Sequence, residues 1–220
     1  MSRWIELRTA SGPVGAWHAA PVTPARDGLV VIQEIFGVNA HVRDVAKRFA
    51  AHGYSVLAPS MFDPVEPGVE LHHDDAGMAR GRDLAAALGM DAAVGIVSAA
   101  VHWLREAGHT VGAVGYCWGG SVALLANTRL GLPAVSYYGA RSIPFLHENL
   151  AAPMMFHFGQ DDPLIPEADV QRHRQAWPRA SIHVHPGGHA FNRDCDRHHY
   201  SPDSAAAALR QTLDFFAEHL

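Results

Sequence analysis

The sequence predicts an α/β fold: a doubly wound, mostly parallel sheet flanked by helices on both faces. Strand-like apolar runs alternate with helix-like periodic segments along the whole chain, which is typical of parallel sheets with crossover helices. Runs such as residues 28–32 are apolar at every position after the first glycine, as expected for strands buried on both faces. The 220 residues show no internal repeat and no linker, so a single domain over residues 1–220 is predicted.

The predicted strands are apolar or alternating runs bounded by turn residues. They lie at residues 4–9, 14–19, 28–32, 54–59, 111–114, 134–139, 153–159 and 181–185. The first two alternate in polarity and are separated by Ser11-Gly12-Pro13, which favours a hairpin or strand pair. The fourth is stopped by Pro59, which lacks the N–H group needed to continue a ladder.

The predicted helices occupy the segments between these strands and the end of the chain. They lie at residues 40–52, 90–106, 121–127, 166–176 and 204–219. In the first helix, apolar residues recur with helical periodicity on one side. These residues are Val42, Val45, Ala46, Phe49 and Ala50. The long polar segment 60–82 is predicted to be a loop or lid with weak helical character.

Composition and charge argue against several classes of function. Hydrophobic residues make up 48% and charged residues 18% of the chain, which is ordinary for a globular protein. A formal net charge of −5 without a prominent Lys/Arg cluster argues against nucleic-acid binding. The chain opens with a strand-like segment and has no apolar run long enough to span a membrane. We therefore expect a cytoplasmic protein without a signal peptide.

The chain has 16 histidines and two cysteines, and both residue types can bind metals. Neither His72-His73 nor His198-His199 matches a His-Glu-x-x-His or Cys-x-x-Cys arrangement, so we expect no metal and no other cofactor. Cys117 and Cys195 do not form a disulfide framework, and free thiols suit a reducing compartment.

The run Gly115-Tyr116-Cys117-Trp118-Gly119-Gly120 is the most informative motif. It follows a predicted strand and precedes a predicted helix, which is the pattern of a nucleophile elbow with cysteine in place of serine. So tight a turn requires a strained backbone at Cys117, and a side chain at position 115 or 119 should collide with its surroundings. The thiol would lie at a helix N-terminus, where partial positive charge favours thiolate. A small buried cysteine in an ordinary turn is the alternative.

Two further segments would complete a catalytic triad. Asp162 follows the strand 153–159, and His189 follows the strand 181–185. The chain order of nucleophile, acid and histidine is that of an elbow hydrolase, and residues just past parallel strands meet at one edge of the sheet. We therefore assign attack to Cys117, proton transfer to His189 and orientation of the imidazole to Asp162. Asp161 is the competing carboxylate.

With these motifs, the chain resembles the dienelactone hydrolase family (carboxymethylenebutenolidases) of the α/β-hydrolase fold. The resemblance covers nearly the whole chain, and two other specific segments carry it. They are Gln33-Glu34-Ile35-Phe36-Gly37-Val38-Asn39 and Gly188-His189-Ala190-Phe191-Asn192-Arg193. It implies a monomeric cysteine hydrolase that opens an enol-lactone (dienelactone) or a similar small anionic ester through an acyl-enzyme. Charge and composition, as above, argue against nucleic-acid and membrane partners.

The resemblance also implies roles for four residues outside the triad. In the family, the glutamate matching Glu34 takes up the proton of the elbow cysteine when substrate binds. The arginine matching Arg193 pairs with that glutamate and meets the substrate carboxylate. The oxyanion hole would consist of the backbone N–H groups of Ile35 and Trp118. A buried structural Glu–Arg pair is the alternative interpretation.

Some positions depart from the family pattern and leave the substrate open. Characterised members carry an Arg and a Tyr before the middle helix, whereas this chain has Arg80 or Arg82 as the candidate anion contact. Trp118 is bulkier than the Leu often found after the cysteine, and Ala190 replaces a frequent Ser.

Three alternative functions follow from the same residues. The first is a related α/β hydrolase acting on another small ester or thioester. The second is a catalytically silent binding protein, although the intact set of matching residues argues against it. The third is a redox-sensing thiol protein in which Cys195 would resolve an oxidised Cys117.

Overall fold

The order of strands and helices in the computed structural model, which describes residues 2–220, follows the predicted alternation. The chain divides into two compact units, with the boundary between Ala113 and Val114. In each unit, helices lie between strands along the sequence.

The first unit contains the N-terminal strand pair and three helices. Its elements are β1 (Ser2–Thr9), β2 (Gly12–Ala19), β3 (Gly28–Ile32), α1 (Ala40–Ala51), β4 (Ser55–Pro59), α2 (Asp75–Leu88) and α3 (Met90–Glu106). The strands lie in the order β1-β2-β4-β3. The pairs β1–β2 and β2–β4 are antiparallel, and β3–β4 is parallel. The predicted hairpin is therefore confirmed.

The side of helix α1 that the apolar periodicity predicts to be buried is buried in the structure. Val42, Val45, Ala46, Phe49 and Ala50 are all buried, as predicted. The side chain of Asn39 accepts a hydrogen bond from the backbone N–H of Val42 and so caps the start of the helix.

The weak helical character predicted for segment 60–82 corresponds to a regular helix, α2, that begins at residue 75 and continues beyond the segment to residue 88. Asp74 caps this helix by accepting a hydrogen bond from the Gly77 N–H group at 2.7 Å. Gly77 and Gly81 weaken the helical signal, but close packing requires a glycine at 81. A Cβ atom at Gly81 would lie 2.1 Å from the carbonyl oxygen of Ile35, so α2 packs directly on the backbone that follows β3.

The second unit carries the elbow and the C-terminal strands. Its elements are β5 (Val111–Tyr116, which starts before the boundary), α4 (Trp118–Leu130), β6 (Ala134–Tyr137), a 3₁₀ turn (Ile143–Phe145), β7 (Met154–Gly159), α5 (Glu167–Ala176), β8 (Ser181–His185) and α6 (Pro202–His219). The strands lie in the order β5-β6-β7-β8. The pairs β6–β7 and β7–β8 are parallel, so loops after these strands emerge at the same edge.

Within residues 2–220, no single helix has the length and apolar character needed to cross a membrane. Helices α2 and α3 meet these criteria only when taken together, and the chain bends by 83° between them.

Candidate active site

The backbone at Cys117 is strained, as predicted for a nucleophile elbow. Its φ is 54° and its ψ is −120°, a region that residues with a side chain seldom adopt. A Cβ atom at Gly115 would lie 1.9 Å from the carbonyl oxygen of Gly119. The predicted collision at position 115 is therefore confirmed, and it occurs with the first turn of α4.

Helix α4 begins at Trp118, directly after the cysteine. The side chains around the elbow are buried, whereas Cys117 itself is partly exposed. The thiol is thus presented at the N-terminus of α4, where the helix dipole favours negative charge.

The triad predicted from the chain order comes together within the second unit. His189 Nε2 lies 3.2 Å from Cys117 Sγ, and His189 Nδ1 lies 2.8 Å from Asp162 Oδ2. The other carboxylate oxygen of Asp162 accepts a hydrogen bond from the Leu164 N–H group at 2.8 Å. Asp162 is buried, whereas Asp161 is exposed. The hydrogen-bonding carboxylate is therefore that of Asp162.

Backbone contacts between two loops set the distance from Asp162 to His189. The Gln160 N–H group donates to the carbonyl of His185, and the Asp161 N–H group donates to that of Gly187. A Cβ atom at Gly159 would lie 2.5 Å from the carbonyl oxygen of Gly188. Glycine at the end of β7 therefore allows the histidine loop to approach the aspartate loop.

The surroundings of His189 favour its imidazolium form. Burial lowers the pKa of His189, but hydrogen bonds to Asp162 and Cys117, together with the negative charge of both groups, raise this pKa to about 10. An imidazolium can donate from both ring nitrogens, one to the carboxylate and the other to a thiolate. The geometry therefore suits a thiolate–imidazolium pair oriented by a carboxylate.

Glu34 and Ile35 follow β3 in the first unit, and both are buried. The Glu34 carboxylate lies 3.8 Å from His73 Nε2. The same nitrogen lies 3.3 Å from Asn39 Nδ2. The His73 ring packs edge-on against that of Phe36, with 4.5 Å between the ring centroids. Sequence reasoning considered His73 as a metal ligand and did not foresee its place beside Glu34.

The arginines predicted to contact substrate differ in their surroundings. Arg193 is buried, and its Nη1 lies 3.2 Å from Asp196 Oδ2. Arg80 is exposed and forms an ion pair with Glu66, whereas the exposed Arg82 contacts the sulfur of Met78 at 3.2 Å. A substrate anion would therefore compete with the Glu66 carboxylate for Arg80, whereas the sulfur that Arg82 contacts is that of a neutral thioether.

Tyr138 is a neighbour of the triad that sequence reasoning missed. It follows β6, is fully buried, and packs edge-on against the His189 ring with 5.1 Å between ring centroids. Its place in the run Tyr137-Tyr138-Gly139, just past a strand, is the signal that could have identified it.

Comparison with known proteins identifies the family to which the chain belongs. The sequence model of the dienelactone hydrolase family matches residues 14–220. A carboxymethylenebutenolidase of Pseudomonas putida is 30% identical, and the alignment covers 99% of this chain and 97% of that protein.

Two solved structures extend the comparison to the fold. A provisionally named dienelactone hydrolase of Klebsiella pneumoniae aligns with a TM-score of 0.86 and 26% identity, over 100% of this chain and 99% of the other. A dienelactone hydrolase-like promiscuous phosphotriesterase from metagenomic libraries aligns with a TM-score of 0.78 over 100% of this chain and 98% of the other. At 20% identity, the latter likeness shows the fold alone. The chain therefore has the α/β-hydrolase fold and belongs to the dienelactone hydrolase family.

Proposed function

We propose that this protein is a cysteine-dependent carboxylic ester hydrolase that opens an enol-lactone or a similar small anionic ester. The observation that carries the proposal is the chain of contacts from Asp162 through His189 to Cys117, with heavy-atom distances of 2.8 and 3.2 Å. Family membership and the name of the Pseudomonas putida relative support the ester or lactone as substrate.

In the proposed first half-reaction, the Cys117 thiolate attacks the carbonyl carbon of the ester and forms a tetrahedral oxyanion. The C–O bond to the leaving group then breaks, and His189 donates its Nε2 proton to the departing oxygen. In a lactone both products stay joined, so the enol remains attached to the acyl group. Asp162 keeps Nδ1 protonated and the imidazole oriented throughout.

In the second half-reaction, neutral His189 takes a proton from water, and the resulting hydroxide attacks the thioester carbonyl. The C–S bond breaks, the carboxylic acid is released, and Cys117 leaves as thiolate beside imidazolium. The cycle is closed with one water consumed per ester, and it requires no redox change. The N–H group of Trp118, at the start of α4, is proposed as one oxyanion donor, and that of Ile35 as the other.

Glu34 and Arg193 are proposed to control the thiol, as the family resemblance implies. In this version Cys117 rests as a thiol: Glu34 would accept its proton when the substrate anion engages Arg193, which yields the thiolate that attacks, and Glu34 would return the proton to Cys117 when the product leaves. Support comes from the burial of both side chains, because a buried charge is costly unless a partner compensates it. Arg80 and Arg82 remain proposed anion contacts; both are exposed, whereas Arg193 is buried.

A second candidate is hydrolysis of another small ester or thioester by the same triad. The family departures at Trp118, Ala190 and the segment around Arg80 favour this alternative, because they alter positions expected to line the substrate site. We further propose that the protein acts as a monomer in the reducing cytoplasm, which would keep the free thiols of Cys117 and Cys195 available.

The decisive experiment compares wild type with Cys117→Ala on cis- and trans-dienelactone and on a simple aryl ester. Cys195→Ala is the matched control, because it removes the exposed cysteine outside the triad. We expect dienelactone hydrolysis that Cys117→Ala abolishes and Cys195→Ala preserves. Activity on the aryl ester alone would favour the second candidate, and activity that survives Cys117→Ala would refute the mechanism.

The redox alternative has its own test. Thiol trapping after mild oxidation would reveal a disulfide between Cys117 and Cys195 if the two residues acted as a redox pair. A wild-type chain that hydrolyses esters and forms no such disulfide would support the hydrolase.

A further inference from the structure

Backbone strain in this chain marks a bulky residue that the proposed mechanism does not use. Among residues 2–220, positive φ at a residue other than glycine occurs at Cys117 (54°), Tyr138 (40°) and Ala190 (63°). Cys117 is the proposed nucleophile, and Ala190 follows His189. For a bulky residue such as Tyr138, positive φ is a true outlier, and such strain is concentrated at functional sites.

The neighbours of Tyr138 fix its backbone on both sides. Its N–H group donates to the carbonyl of His157 at 2.8 Å, which continues the pairing of β6 with β7. At the next position, a Cβ atom on Gly139 would lie 2.9 Å from the carbonyl carbon of Gly120. The chain therefore turns sharply between a strand ladder and the first turn of α4, and Tyr138 takes the positive φ that glycine would adopt with less strain.

The Tyr138 side chain contacts the triad through its ring. The ring centroid lies 5.1 Å from that of His189 with 61° between the planes, and 5.5 Å from that of Phe191 with 78°. Both geometries are edge-to-face contacts of the favourable kind. Tyr138 is fully buried, so solvent does not compete for this contact.

The ring contact supplies a restraint that the hydrogen bonds of the triad do not. Asp162 and Cys117 hold the two nitrogens of His189, but the imidazole can still rock about the line that joins those nitrogens. A rigid aromatic ring packed against its side opposes this motion. The direction of the Nε2–H bond toward the thiol, and toward a leaving group, depends on that orientation.

We propose that Tyr138 is a positioning residue, which holds the His189 imidazole in its productive orientation through ring packing. This inference rests on the proposed function for its effect on turnover, but the effect on the Cys117–His189 pair is independent of any substrate. The aromatic ring carries the role, and the hydroxyl group does not.

The test uses Tyr138→Phe, which keeps the ring, and Tyr138→Leu, which keeps apolar bulk without a ring. Phe158→Leu is the matched control, because Phe158 is also fully buried in the second unit and its ring packs on Phe156 and His173. All variants are made in a Cys195→Ala background, so that iodoacetamide reports the thiol of Cys117. The readouts are the pH dependence of alkylation, kcat and KM on the best ester, and the thermal midpoint.

We expect Tyr138→Leu to lower kcat by about ten- to a hundredfold with little change in KM and to alter the pH profile of Cys117 alkylation. Tyr138→Phe should stay within about threefold of wild type in both readouts. Phe158→Leu should lower the thermal midpoint and leave the alkylation profile unchanged.

Wild-type kcat and alkylation in Tyr138→Leu would overturn the proposal, and so would equal losses in Tyr138→Leu and Phe158→Leu. A loss in Tyr138→Phe as large as in Tyr138→Leu would assign the effect to the hydroxyl group and also overturn it. If the wild type hydrolysed no ester, the proposed function would fail, but the alkylation profiles would still decide the role of Tyr138.

Discussion

Replacement of Gly115 by alanine is the sharpest test of the elbow. A Cβ atom at this position would lie 1.9 Å from the carbonyl oxygen and 2.3 Å from the carbonyl carbon of Gly119. Ordinary contacts of a Cβ atom begin at 3.4 Å, so the strand and the first turn of α4 would have to separate by roughly 1.5 Å to reach an ordinary overlap-free contact. Both partners are backbone, and no side-chain rotation relieves the overlap.

The separation should affect both stability and catalysis. Overlap of this kind with fixed backbone is expected to lower the free energy of unfolding by about 3 kcal/mol or more. In a chain of this length, the melting temperature would then fall by roughly 10 °C. Because Cys117 lies between the two displaced segments, a shift of about 1 Å in its thiol should reduce kcat by about a hundredfold.

Gly95→Ala is the matched control, with the same chemical change at an exposed site in α3. Nothing lies within 4 Å of a Cβ atom at Gly95, and alanine is favoured over glycine within a helix by about 0.5–1 kcal/mol. Urea unfolding followed by circular dichroism, with ester hydrolysis measured in parallel, compares the two variants. A Gly115→Ala protein as stable and active as wild type, or a Gly95→Ala protein equally damaged, would contradict the collision predicted at Gly115.

Three further outcomes follow from the titratable groups. Asp162→Asn removes the acceptor of the His189 Nδ1 proton, so kcat should fall by about a hundredfold or more, whereas Asp161→Asn at the exposed neighbour should leave the same assay within about twofold. Burial lowers the pKa of His189, but contacts with Asp162 and Cys117 raise it to about 10; kcat/KM should therefore fall as pH rises through this value and imidazolium is lost, and an alkaline limb near neutrality would contradict the pairing. Burial and the neighbouring His183 lower the pKa of His185 from 6.5 to about 4. Between these pH values the His185 side chain is therefore protonated in the unfolded chain and neutral in the folded chain. Stability should decrease over that range by about 3 kcal/mol at most from this group, and urea midpoints that do not move between those pH values would exclude the effect.

The triad could be predicted because each member follows a strand at a position that chain order identifies. Once β5, β7 and β8 are predicted to be parallel strands of one sheet, Cys117, Asp162 and His189 must follow strand ends at one edge. The preference for Asp162 over Asp161 agrees with the geometry, because Asp162 alone of the two faces the imidazole.

Helix α2 and the contact of His73 with Glu34 could not be predicted well, for the same reason. Helix α2 is predicted only as weak helical character because Gly77 and Gly81 weaken its local signal, and the reason for Gly81 lies in a distant carbonyl, that of Ile35. The contact of His73 with Glu34 depends on how the chain returns from residues 60–74 to the end of β3. Neither contact leaves a local pattern in the sequence.

The amino-acid sequence was enough to predict the fold class, the family and the three residues proposed as a triad. It could do so because apolar periodicity, turn glycines and the order of motifs are local properties of the chain. Tertiary structure alone decided which surfaces meet: the strained bend at Tyr138, its ring against His189, and the surface partners of Arg80 and Arg82. Such contacts join residues far apart in sequence, and their geometry depends on close packing of backbone and side chains that no local pattern specifies.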